Sequence, residues 1–129
     1  MTKEDKELLL KDLSGRLQYG VHCRVFKLNK TIKEDDDILY GIIGDNVITL
    51  KSNEDECLMH YQIKPYLRPM SSMTEKEREE YLGTFIELPN EEYLLKTLRT
   101  IDWLNKHHFD YRNLIQMGLA LEAPKDMYN

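Results

Sequence analysis

Two prolines four residues apart, Pro65 and Pro69, constrain this chain more than any other feature. Each fixes φ and removes a backbone donor, and each pushes the residue before it out of the helical region. The stretch from Ile63 to Thr74 is therefore expected to run extended along other elements, as a connector and not inside a sheet. Tyr66, Leu67, Met70 and Met73 are too apolar for a solvated linker, so the connector is expected to lie against the core. Its end, Thr74-Glu75-Lys76-Glu77, has the form of a capping box, in which the threonine oxygen takes the amide three residues on and the glutamate reaches back. A helix of about two turns is expected from Glu75 to near Gly83.

The half before the prolines reads mostly as strand. Thr2 is placed to cap a first helix, Leu9, Leu10, Leu13 and Leu17 recur at helical spacing, and Gly15 is a natural stop, which predicts a helix near 3 to 14. Tyr19, Val21, Cys23 and Val25 then alternate with Gly20, His22, Arg24 and Phe26, the period of a strand with one apolar face. Ile38 to Ile43 is apolar throughout, Gly44-Asp45-Asn46 carries turn chemistry, and Val47 to Lys51 returns as its antiparallel partner. Thr31 to Asp37 and Ser52 to Glu56 are acidic enough to read as loops. Residues 57–63 fit a fourth strand or a short helix equally well.

The half after the prolines reads as helix. A long helix is expected from Pro89-Asn90, with Tyr93, Leu94, Leu98, Ile101 and Leu104 on one side and Trp103 roughly opposite. Trp103 then needs cover from another element. Asp110 resembles a further N-cap, Phe109 is spaced to staple onto Leu114, and Gly118 would end that last helix, which could supply the cover.

At 129 residues the chain is long enough for one domain to bury a core without disulfide or metal support, and its 41% hydrophobic and 32% charged content suits a globular protein. No apolar run approaches the roughly 20 residues that span a bilayer, and Leu8-Leu9-Leu10 is too short for a signal sequence, so a cytoplasmic location is expected. Cys23 and Cys57 form no C-x-x-C pair and read as free thiols. The net charge is −5, yet Leu13 to Lys33 holds five cations and no acid, leaving −10 on the rest.

Candidate chemistry is sparse. Lys64, Arg68, Ser71, Ser72 and Thr74 converge on a predicted helix N-terminus, where free amides can hold a phosphate or carboxylate. Capping and packing account for the same residues. Arg16, His22, Arg24, Phe26 and Lys27 make a basic segment with an aromatic in it, a candidate face for single-stranded nucleic acid or for a partner protein. His107 and His108 lie near Asp102 and Asp110, but neighbours at a helix end diverge by about 100° and cannot converge on zinc. Asp35, Asp36 and Asp37 lack the spaced ligands, turn glycine and closing glutamate of a calcium loop. No phosphate-binding glycine motif and no nucleophile motif is present, so no catalytic residue, cofactor or metal is assigned.

Two blocks carry a resemblance: Ile63 to Thr74, and Asp102-Trp103-Leu104-Asn105 through His108-Phe109-Asp110-Tyr111-Arg112 with Gly118 to Pro124. With Lys11-Asp12-Leu13 to Tyr19-Gly20-Val21, they resemble small proteins of gut Bacteroidetes and of their phages and mobile elements. That family carries no assigned activity, so the resemblance implies a setting and no mechanism.

The expectation is a single α+β domain over residues 1–129, with a small antiparallel sheet of three to four strands covered on one face by N- and C-terminal helices. The favoured function is a non-enzymatic accessory protein acting through protein–protein binding. The alternatives are a nucleic-acid-associated protein using the Arg16–Lys33 face, and an enzyme whose site is scattered through the sequence.

Overall fold

A computed structural model describes residues 2–26, 36–43, 47–50, 53–59, 62–86, 89 and 92–128. Among these described residues, three α-helices and seven strands follow in the order α1 (Lys3–Arg16), β1 (His22–Val25), β2 (Asp36–Ile43), β3 (Val47–Leu50), β4 (Asn53–Met59), β5 (Ile63–Pro69), α2 (Glu75–Gly83), α3 (Tyr93–Lys106), β6 (Phe109–Asp110) and β7 (Leu121–Glu122). The sheet is mixed and larger than the three to four strands expected. Its path is β4-β3-β2-β1-β5-β6, with β7 also on β5.

The twin-proline stretch is where sequence and structure differ most. It is buried, with Ile63, Pro65, Tyr66 and Leu67 in the interior, but it is a strand inside the sheet and not a connector across it. β5 pairs antiparallel with β1 and parallel with β6 and β7. The prolines are tolerated because of where they fall in the ladder. Phe26 N donates to Gln62 O at 2.7 Å, and the register pairs Arg24 with Lys64 and Cys23 with Pro65. Antiparallel pairs alternate between bonded and non-bonded, so Pro65 sits at a non-bonded position toward β1 and removes no bond there. Pro69 is the last residue of the strand.

The acidic stretch expected to be a loop is most of β4, which lies at one end of the sheet path. Residues 63–69 are strand; of the ambiguous 57–63, residues 57–59 belong to β4, while His60 and Tyr61 lie outside the described residues, as does the Gly44–Asn46 turn.

α1 is capped as expected: Thr2 Oγ1 accepts from Asp5 N at 3.0 Å and Asp5 Oδ2 accepts from Thr2 N at 3.3 Å. It passes Gly15 without stopping. A Cβ on Gly15 would stand 3.1 Å from Asn105 Nδ2, so this glycine marks the close approach of α1 to α3, and the turn comes at Gly20 with φ +64. Leu9 and Leu13 of α1 pack on Val21, Cys23, Val25, Leu39, Ile48, Leu58, Ile63 and Leu67, with Leu114, Leu119 and Ala120 joining from the C-terminal segment. Burying each of these leucines contributes about 2–3 kcal/mol.

No helix follows Asp110. Its carboxylate does take backbone amides, Leu114 N at 2.9 Å and Ile115 N at 3.0 Å, but Asn113 adopts φ +65, which a right-handed helix excludes. Phe109 and Leu114 are both buried, but on a non-helical turn and not as the staple of a helix. Trp103 is half-buried instead by an aromatic stack: Phe109 at 5.7 Å and 12°, His107 at 4.3 Å and Tyr81 of α2 at 5.6 Å between ring centroids. Among the described residues no helix is long and apolar enough to cross a membrane.

Candidate functional site

A cleft of about 620 Å³ opens between the start of α2 and the C-terminal segment, lined by residues that include Arg68, Ser72, Thr74, Glu77 and His107. Three of the five candidate anion-site residues are therefore together. Lys64 and Ser71 are not in its lining. The capping box forms here as the sequence indicates, with Thr74 Oγ1 accepting from Glu77 N at 3.1 Å and Glu77 Oε1 accepting from Thr74 N at 3.1 Å. Arg68 does not face a vacant anion position. Its two terminal nitrogens donate to the two oxygens of Glu77, each at 2.7 Å, and its guanidinium lies 4.2 Å over the Phe109 ring.

This pairing sets the electrostatics of the cleft. The Arg68 hydrogen bonds hold the Glu77 carboxyl down at about 2, so it stays ionised and is a weak base. His107 Nδ1 stands 3.8 Å from Glu77 Oε2, and burial lowers its pKa. A histidine beside a carboxylate in a cleft is the arrangement an enzyme would need, but this carboxylate is committed to Arg68 and to the helix start. Glu77, Glu122 and Asp126 outnumber Arg68 and Lys125 in the lining, a balance that disfavours anionic ligands.

One wall of the cleft is Tyr128. Its hydroxyl donates to Tyr66 O at 2.7 Å and accepts from His22 N at 2.9 Å, and its ring stacks on His108 at 3.7 Å and 13°. His108 is buried at φ +64, and its Nδ1 has no hydrogen-bond partner. Burial, with the Arg16 charge second, pulls its pKa down to about 4.

The basic face expected from Arg16 to Lys33 is divided by the fold. Arg16 is fully buried: its Nε donates to Asp12 Oδ2 at 2.8 Å, and its Nη2 to Asp12 Oδ1 at 3.1 Å and Phe109 O at 2.7 Å. Helical spacing places it with the apolar residues of α1, and that signal was in the sequence. Arg112 Nε stands 3.3 Å from Asp12 Oδ1, close enough to attract though not aligned for a hydrogen bond. The Tyr111 ring lies near both guanidiniums, at 5.2 and 5.1 Å. His22 is half-buried under Tyr128. Arg24 stays exposed and Lys64 joins it from the neighbouring strand, with its ammonium 5.4 Å over the Phe26 ring. Lys27 lies outside the described residues.

The feature that the sequence reading did not nominate is on α3. Tyr93, Leu94, Leu95 and Leu98 expose between 47 and 74% of their surface. Leu82, Phe85 and Ile86, at and just after the end of α2, add to them with 42 to 65%. The cause is length. The apolar stripe of α3 is buried at Leu104 and half-buried at Ile101, and it then continues two further turns past the elements that cover it. α2 and α3 are tied together by Arg99 Nη2, which donates to Ile86 O at 2.7 Å and Thr84 O at 3.1 Å, and by Thr100 Oγ1 on Thr84 Oγ1 at 2.9 Å. The result is a two-helix arm with an apolar surface. Four large apolar side chains exposed within two turns of one helix are more than the singly scattered apolar residues of an ordinary surface.

Among the described residues no group of three or more His, Cys, Asp or Glu side chains is placed to hold a metal ion. No family model, no curated protein and no solved structure matches this chain.

Proposed function

We propose that this protein works through protein–protein binding at the apolar arm of α2 and α3, without chemistry of its own. The observation that carries the reading is the run of large apolar side chains that α3 presents to water beyond the end of the core. The uncovered stripe has the i, i+4 spacing by which helices seat against one another. The setting, an accessory protein of a phage or mobile element, rests on the resemblance of the Ile63–Thr74 and Asp102–Pro124 blocks alone.

The test is site-specific photocrosslinking in a host extract, with a photoreactive phenylalanine analogue at position 93 or 98 and, as control, at Lys125. Defined adducts at 93 and 98 and none at 125 are expected. Equal labelling at all three positions, or none, refutes the arm as a binding surface.

The nucleic-acid reading keeps one supporting observation, the pairing of Arg24 and Lys64 around Phe26. Salt-sensitive retention on single-stranded DNA that is lost in Arg24→Glu/Lys64→Glu would favour it, and unchanged retention would reject it.

A further inference from the structure

We infer that the partner seated on the arm is a second copy of this chain, paired about a two-fold axis through its α3 stripe; this rests on the arm being a binding surface. Three observations point to self-pairing. The first is area. Tyr93, Leu94, Leu95 and Leu98 present on the order of 450 Å² per chain, and Leu82, Phe85 and Ile86 on the order of 300 Å² more, so a pairing that takes in both helices of the arm reaches about what each partner contributes to a stable interface of standard size.

The second is chemistry. An apolar helical stripe is matched by another helix whose apolar residues recur at i and i+4, and α3 itself is such a helix, with Leu94 and Leu98 uncovered. Apposed antiparallel, each α3 supplies what the other lacks, and one contact satisfies both copies because a two-fold interface uses the same patch twice.

The third is the placement of charge. Within the exposed two turns, 93–100, the only ionisable groups besides the Tyr93 phenol are Lys96 and Arg99. Arg99 is turned to the backbone oxygens of Thr84 and Ile86, and the Lys96 ammonium is 5.7 Å over the Tyr93 ring. Neither interrupts the Leu94–Leu98 stripe, so two copies can meet there without burying like charges against each other.

Sedimentation velocity on the full chain across concentration tests this. The wild type is expected at twice the chain mass at about 50 μM and to dissociate on dilution. Leu94→Glu/Leu98→Glu is expected to stay monomeric at the same concentration, with far-UV circular dichroism measured alongside to show that its helices are kept. Mixing Leu98→Glu chains with Leu98→Lys chains should restore a dimer that neither forms alone. A wild type that remains monomeric, or a dimer that ignores the glutamates, overturns the inference. The photocrosslinks then separate the two claims: adducts of position 93 or 98 with a second copy of the chain support both, adducts with a different protein alone leave arm binding standing with another partner, and no adduct of either kind removes both.

Discussion

The buried pair of Asp12 and Arg16 gives the sharpest test of how this fold is held. Both side chains have no solvent exposure, two hydrogen bonds of 2.8 and 3.1 Å join them, and Arg16 Nη2 also ties α1 to Phe109 O at the start of β6. Asp12→Asn leaves a guanidinium in the interior without its counter-ion, with the Arg112 charge close by. Breaking a buried pair in this way costs about 3–5 kcal/mol, a large share of the 5–15 kcal/mol that holds a typical domain. For a chain of this size that lowers the melting temperature by roughly 10–20 °C. Arg16→Met should cost somewhat less, because it frees Phe109 O and takes both hydrogen bonds from Asp12 but leaves it the Arg112 charge at 3.3 Å. In Asp12→Leu/Arg16→Met neither charge remains, so the double variant should recover most of the loss, short of about 1–3 kcal/mol for the unpaired carbonyl. Urea unfolding followed by the fluorescence of Trp103, the single tryptophan, measures the cycle. Additive losses, or an Asp12→Asn cost below about 1 kcal/mol, would refute the claim that these charges depend on each other.

Acid should weaken the fold in two steps. His108 binds its proton near 6.5 when unfolded and at about 4 when folded, so its contribution is complete above pH 6.5 and is lost as pH falls toward 4, by up to about 3 kcal/mol. His108→Phe should remove that step from the pH dependence of urea midpoints, and a step that survives the substitution refutes the assignment. Glu77, held at about 2 by Arg68, contributes above pH 4.5, and its share is lost as pH falls from 4.5 toward 2. Thr74→Ala should cost about 1 kcal/mol and fray the first turn of α2, seen as faster amide exchange at Glu77, since that amide loses its acceptor. Tyr128→Phe keeps the ring on His108 but leaves Tyr66 O and His22 N without their partner, a loss of about 1–2 kcal/mol in thermal melts; a neutral result would place that hydroxyl's bonds in competition with water.

What could be read in advance was whatever a few neighbouring residues decide. The caps at Thr2 and Thr74, the alternation through Val21, Cys23 and Val25, and the pairing of β2 with β3 depend on side chains within reach of their own backbone. The misreadings have one origin. Pro65 and Pro69 argue against a strand until the ladder phase is known, and that phase is set by β1, some forty residues away. The acids at 54–56 argue for a loop until β4 is known to end the sheet. Asp110 argues for a helix until Asn113 turns left-handed. β6 and β7 are two residues each and exist only because β5 offers them a partner, so no local pattern could announce them. At the candidate cleft, the Thr74–Glu77 box was legible, but the closure of Arg68 on Glu77, which changes an anion site into a neutralised pair, was not.

Two inversions of the usual order then meet on one side of the molecule. Where α1 approaches α3, at Gly15 and Asn105, the neighbouring interior holds the ion pair of Asp12 and Arg16; where α3 runs beyond that contact, leucines stand in water. The first has partners inside the chain: Asp12 and Phe109 O take the Nε and Nη2 donors of Arg16, and Arg112 stands 3.3 Å from Asp12. The second has no such account. Leu94 is 64% exposed and Leu98 47%, so each keeps only part of its surface inside the isolated chain. The remainder gains nothing from folding of the single chain, and it acquires a thermodynamic role only when something covers it. That asymmetry, a stretch of α3 only partly covered by its own chain and suited to a helix like itself, is why the arm and not the cleft is the place to look for function.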